Sequence, residues 1–131
     1  MKTTATNRVV VHFKNGTVMK GTTGDFFPNK SQFHLTDPDG KTETIDGNHV
    51  KAIFFVKDLI GDKSRPDHYD INLPGAGRKI QVEFYDSEKI FGYTLGYSPE
   101  RQGFFMTSID PLSNNERIFV LKAATKNIKF L

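Results

Sequence analysis

Residues Phe13 to Pro28 read FKNGTVMKGTTGDFFP, and residues Phe84 to Pro99 restate that pattern as FYDSEKIFGYTLGYSP. Two copies of one local pattern must fold as two copies of one supersecondary unit, so this repeat limits the architecture more than any other feature. A shift of 71 lays Val11 on Val82, Asn15 on Asp86, Gly21 on Gly92, Phe26 on Tyr97, Lys30 on Arg101 and Phe33 on Phe104. Past a loop whose length differs by four residues, a shift of 75 lays HVKAIFFV on ATKNIKFL and pairs Lys51 with Lys126, Ile53 with Ile128 and Phe55 with Phe130. Each half begins and ends alike.

Between the halves, KDLIGDKSRPDHYDINLPGAGR (Lys57 to Arg78) is polar, rich in Pro and Gly, and without sustained periodicity. It reads as a linker or long loop. The expected organisation is a flexible tail over 1–8, a first β repeat over 9–56, the linker over 57–78 and a second β repeat over 79–131. About fifty residues is near the lower limit for a self-sufficient core, so the two halves are expected to pack on each other.

The apolar period within each half is two. Val9, Val11 and Phe13 alternate with Val10, His12 and Lys14, and Ile80, Val82 and Phe84 alternate with Gln81, Glu83 and Tyr85. That is the mark of half-buried strands. Asn15-Gly16 predicts a type I′ hairpin turn, since both residues accept a positive φ, and Asp86-Ser87 fills the same place. Further strands are expected over Thr17–Asp25, Ser31–Thr36, Lys41–Asp46 and Val50–Val56, making five per half. Gly21 and Gly92 fall inside the second strand of each half, where glycine permits a sharp bend or a close backbone approach.

The spacing in VHFKNGTVMKG (Val11 to Gly21) resembles the first signature of the Sm-like family, and TIDGNHVKAIFF (Thr44 to Phe55) resembles its second. The second half keeps the first signature loosely and has FVLKAATKNI in place of the other. The resemblance implies an all-β chain of two tandem five-stranded, strongly bent SH3-like or Sm-like small barrels packed together, with almost no helix. The GYT element at Gly92 to Thr94 and NNERIFV at Asn114 to Val120 are also similar to an uncharacterised bacterial domain family found beside PilZ modules. The arginine pair and Asp/Asn-x-Ser-x-x-Gly element of PilZ nucleotide binding are absent, so that activity is not carried over.

Sm-like proteins that bind uridine-rich RNA use a polar residue and an aromatic after the second strand and an Arg before the Gly of the second signature. Asp46 holds that Arg position and Leu121 its counterpart, and an acidic side chain there repels phosphate. The loop after the second strand still offers Phe26, Phe27, Asn29 and Lys30, matched on the other copy by Tyr97 and Arg101. Aromatic rings beside cations are the composition of a base-stacking or peptide-contact surface. Phe26 and Tyr97, like Phe33 and Phe104, read first as barrel plugs, because most large apolar side chains bury.

No catalytic constellation is visible. The histidines His12, His34, His49 and His68 lack metal-ligand spacing, no cysteine is present, and GAGRK (Gly75 to Lys79) is too short for a dinucleotide fingerprint. Asp37 and Asp39 sit in TDPDG, where a turn explains them. With 18 Lys and Arg against 15 Asp and Glu, charge does not mark a dedicated polyanion binder. The N-terminus lacks the apolar stretch of a signal peptide, which predicts a cytoplasmic protein with no membrane contact. The expected function is that of a non-catalytic binding or scaffold module of a bacterial protein, without cofactor or metal, contacting a protein partner through Phe26, Phe27, Asn29, Lys30, Tyr97 and Arg101. The alternative is an RNA-binding protein using the same rings and cations. Sm-like proteins join subunits by pairing edge strands, and the resemblance implies such pairing between the two halves of this chain; further copies could add on as a homo-oligomer, with Lys122, Lys126 and Lys129 blunting that further pairing.

Overall fold

The computed structural model describes residues 7–28, 30–57, 77–95, 97, 100–108 and 115–131. Asn29, His68, the tail over 1–6 and the linker from 58 to 76 lie outside them. Ten strands are formed: β1 (Asn7–Phe13), β2 (Val18–Thr23), β3 (Gln32–Thr36), β4 (Thr42–Asp46), β5 (Val50–Val56), β6 (Arg78–Phe84), β7 (Lys89–Thr94), β8 (Gly103–Ser108), β9 (Asn115–Leu121) and β10 (Thr125–Phe130). The only helical pieces among the described residues are single 3-10 turns at Gly47–His49 and Lys122–Ala124, which occupy equivalent places in the repeat. The protein is all-β, as its period-two pattern requires.

All ladders are antiparallel, and the strands form one sheet in the order β10-β6-β7-β8-β9-β5-β1-β2-β3-β4. The same five-strand order is thus written twice, and the copies match in register. Val9 faces Phe55 as Ile80 faces Phe130, and a β-bulge falls at Phe13 opposite Val50 as it does at Phe84 opposite Thr125.

The hairpin turns differ from the type I′ expectation. Gly16 N donates to Phe13 O at 3.0 Å, Phe13 N donates to Thr17 O at 2.9 Å, and only Gly16, at φ +91°, is left-handed. This is a three-residue loop closed by a left-handed residue, the next most favoured hairpin design. Asn15 acts through its side chain instead, its Oδ1 accepting from Thr17 N at 2.9 Å. The second copy does the same: Asp86 Oδ1 accepts from Glu88 N at 3.0 Å, and Ser87 takes the left-handed position at φ +75°.

Gly21 and Gly92 lie where β2 meets β3 and β7 meets β8. A Cβ at Gly21 would stand 2.3 Å from Thr36 O, and one at Gly92 would stand 2.1 Å from Thr107 O. Both positions demand glycine for space, because the next strand's backbone crosses over them.

The halves share their sheet and their cores through β5 and β9. These two strands pair directly, Ala52 with Val120, Ile53 with Phe119 and Phe54 with Ile118. Every residue of β5 is buried. Ala52, Phe54 and Val56 enter a core with Ile80, Val82, Phe84, Phe104 and Met106, whereas Ile53 and Phe55 enter a second core with Val9, Val11, Phe33 and Leu35. β9 divides likewise, Ile118 and Val120 going to one core and Phe119 and Leu121 to the other.

Candidate functional site

The residues after β2 and β7 separate into core and surface. The half-buried Phe26 ring meets Phe33 at 5.3 Å, Phe55 at 5.9 Å, Phe105 at 6.4 Å and Phe119 at 5.1 Å, so it plugs the second core. Tyr97 does the equivalent work at the other core, 5.2 Å from Phe104 and 5.4 Å from Phe130. Lys122, one of the lysines assigned to an edge, lies in a 3-10 turn with its Nζ 5.6 Å over the Tyr97 ring.

Phe27 takes the opposite role. Its side chain is 52% exposed, and Lys30 Nζ sits 5.5 Å above its ring, an exposed cation–π pair held by a turn in which Lys30 N donates to Phe27 O at 3.0 Å. Beside this pair opens a cleft of about 540 Å³ lined by Pro28, Ser31, Arg101, Gln102 and Gly103. It is built by both halves. Gln102 Nε2 donates to Pro28 O at 2.9 Å and ties the loops together across the junction. Their bases are anchored alike, Ser31 O accepting from Gly47 N at 2.8 Å and Gln102 O accepting from Lys122 N at 2.9 Å. Lys30 and Arg101, equivalent positions of the repeat, are both exposed, Arg101 lining the cleft and Lys30 standing over the Phe27 ring.

Of the six expected contact residues, Arg101 lines this cleft, Phe27 and Lys30 form an exposed pair adjacent in sequence to its lining residues Pro28 and Ser31, Phe26 and Tyr97 face the two cores, and Asn29 lies outside the described residues. Gln102 and Ser31 were missed by the sequence reading, although a shift of 71 pairs them and so marked them as one structural position. Asp46, at the position where the Sm-like resemblance has Arg, is spent on the backbone: its Oδ1 accepts from Asn48 N at 2.9 Å.

A second polar cluster locks the halves elsewhere. Lys51 on β5, its side chain only 8% exposed, donates from Nζ to Asp86 Oδ2 at 2.7 Å and to Glu88 Oε1, and lies 4.6 Å over the Phe84 ring. Burial alone would lower the lysine's pKa, but the two hydrogen-bonded carboxylates outweigh it and the pKa stands above its usual value. The Lys51 hydrogen bond holds Asp86 below the usual carboxylate range. In the first copy the corresponding residues are the neutral Asn15 and Thr17, and that change between copies was the available signal.

The histidines have separate employments. The His12 ring lies 4.5 Å from that of Phe54, tilted by 48°, and burial lowers its pKa despite the nearby Glu88. His34 Nδ1 donates to Asp25 Oδ2 at 2.6 Å, which lowers the pKa of Asp25. Among the described residues no group of three or more His, Cys, Asp or Glu could hold a metal ion. No helix of the described residues is long and apolar enough to cross a membrane.

A protein-family model matches residues 5–131, and the chain therefore belongs to that family, DUF6982, a family of unknown function. No curated protein and no solved structure matches the chain.

Proposed function

We propose that the chain is a non-catalytic binding module whose contact face is the cleft between the loops after β2 and β7, and that it takes an extended acidic segment of a protein partner. The observation that carries this reading is the exposed Phe27 ring under Lys30, set beside a two-sided cleft with Arg101 on its rim. An exposed ring supplies apolar contact area at small entropic cost, and two exposed cations, Lys30 over the ring and Arg101 in the cleft, select for negative charge. The carbonyl of Pro28 is engaged by Gln102, so the loop is braced before any partner arrives.

A second reading, single-stranded RNA, is favoured by the same ring-and-cation composition and by the resemblance of VHFKNGTVMKG and TIDGNHVKAIFF to the Sm-like signatures. Against it stands Asp46, an acid fixed as a cap where that resemblance calls for a cation. Titration of the ¹⁵N-labelled protein with an acidic, Phe-containing decapeptide and, separately, with uridine-rich and adenosine-rich RNA distinguishes the two. Peptide-induced shifts at Phe27, Lys30 and Gln102, weakened by Phe27→Ala and by Arg101→Glu, are the expected result. Binding of the RNA alone, falling steeply with salt, would replace the peptide reading. Silence of these residues toward all three probes would remove the face from consideration.

A further inference from the structure

The seam between the halves holds a second cavity, of about 120 Å³, whose lining shares no residue with the cleft after β2 and β7. Lys14 and Lys51 line it from the first half, and from the second come an apolar wall of Phe84, Ala123 and Ala124. The shift of 75 sets these two alanines in the places of Asn48 and His49. Cutting two polar side chains back to methyl groups removes bulk beside Phe84 and leaves the wall dry. The backbone on both sides is held, Lys14 N donating to His49 O at 2.9 Å and Tyr85 N donating to Ala124 O at 3.1 Å. The pocket is therefore formed before any ligand arrives, as small-molecule sites generally are.

Its size limits the occupant. An apolar cavity of roughly 150 Å³ takes benzene. About 120 Å³, bordered by the exposed Lys14 and by Tyr85, admits one ring or one branched alkyl group; sites for larger ligands start at about 300 Å³. Its charges limit the occupant further. Asp86 in the lining accepts from Lys51 Nζ at 2.7 Å, so those two answer each other, and Glu88, the second carboxylate on Lys51, is not part of the lining. Lys14 is left over: among the described residues its ammonium has no hydrogen bond or ion pair. A cationic ligand would meet two lysines in this pocket, whereas an anionic one finds an ammonium that is unengaged.

We propose that the seam pocket binds a free, compact organic acid, its apolar body against Phe84, Ala123 and Ala124 and its carboxylate on Lys14. Apolar walls hold the body and one charged group fixes its orientation, the usual division of labour in a small-ligand site. The site stands whether or not the cleft after β2 and β7 takes a partner, because the two have no residue in common.

Titration of the full ¹⁵N-labelled chain with benzoate, followed through its amide spectrum, tests the site, and the dispersion of the same spectrum verifies that each variant is folded. Benzoate is expected to shift the amides of Lys14, Tyr85, Ala123 and Ala124 with a Kd of about 1 mM, the usual scale for so small a ligand. Benzamide, which keeps the body and lacks the charge, and acetate, which keeps the charge and lacks the body, should each bind about tenfold more weakly. Lys14→Gln should weaken benzoate by about tenfold and leave benzamide unchanged. Ala123→Phe, a change at an exposed position that fills the pocket, should abolish binding of both. Amides that stay still at about 10 mM benzoate overturn the proposal. Benzoate bound no better than benzamide or acetate, or bound equally well by the Lys14→Gln and Ala123→Phe variants, overturns it as well.

Discussion

Adding one methyl group at Gly21 or Gly92 tests the strand crossings on which each half is built. At Gly21 the new carbon would stand 2.3 Å from Thr36 O, 2.9 Å from that residue's carbonyl carbon and 3.1 Å from Leu35 Cδ1. At Gly92 it would stand 2.1 Å from Thr107 O and 2.7 Å from Met106 Cε. Carbon and oxygen normally approach to about 3.3 Å, so the crossing strand must retreat by about 1 Å in either case. The obstacle is backbone, which cannot turn aside as a side chain does. The ladders that would absorb the movement are short, Thr22 with Thr36 in one half and two pairs, Gly92 with Ser108 and Tyr93 with Thr107, in the other.

Overpacking of this kind costs about 1–3 kcal/mol and sometimes more, and the severity of the overlap places both substitutions near 3 kcal/mol. For a chain of this length that is a fall of roughly 10 °C in Tm. Gly16→Ala is the control: its φ of +91° disfavours a side chain, but nothing lies within 4 Å, so about 1 kcal/mol is expected. Urea unfolding followed by circular dichroism gives all three values. Gly21→Ala and Gly92→Ala both within 0.5 kcal/mol of wild type, roughly the level of an inert surface change, would refute the crossing.

Phe26→Ala should cost about 2–3 kcal/mol because the ring is packed among four other phenylalanines, whereas the half-exposed Phe27→Ala should leave the urea midpoint almost unmoved. Lys51→Met should cost about 1–2 kcal/mol near neutral pH, modest for a buried lysine because Asp86 and Glu88, 49% and 43% exposed, regain water. Its pH dependence has a fixed sign. The raised pKa of Lys51 means that its contribution is complete below the usual 10.5 and is lost as pH climbs through the higher folded value; the lowered pKa of Asp86 means that its contribution is complete above 3.8 and is lost as pH falls through the lower folded value. The stability curves of wild type and Lys51→Met should therefore lie furthest apart between those limits and converge outside them, and a constant separation across the whole range would refute the lock.

The strands were legible because alternation of apolar residues is a local property, and the repeat made each half a check on the other. Gly21 and Gly92 stood out for the same reason: a glycine retained in both copies inside a strand points to space that the fold needs. That the halves join edge to edge was legible only as what the Sm-like resemblance implied, since comparing the copies reveals what each does internally and is silent on how they meet. The turn at Asn15-Gly16 was misassigned because the dipeptide suits two hairpin geometries, and the hydrogen bonds of Phe13 with Gly16 and Thr17 select the three-residue loop. At the candidate site, composition drew attention to the loop after β2 but could not tell Phe26 from Phe27, adjacent residues of one type of which one is packed against the core and the other exposed.

Gene duplication usually leaves two copies free to drift apart, one retaining the old task while the other changes. The division of β5 and β9 between both cores removes that freedom here. Ile53 and Phe54 are neighbours on one strand, yet each is answerable to a different set of side chains, and the same holds for Phe119 and Val120. A substitution accepted by one half is therefore judged by the other as well. The loops around Phe27 and Arg101, where both side chains are exposed, are where the two copies retain room to diverge.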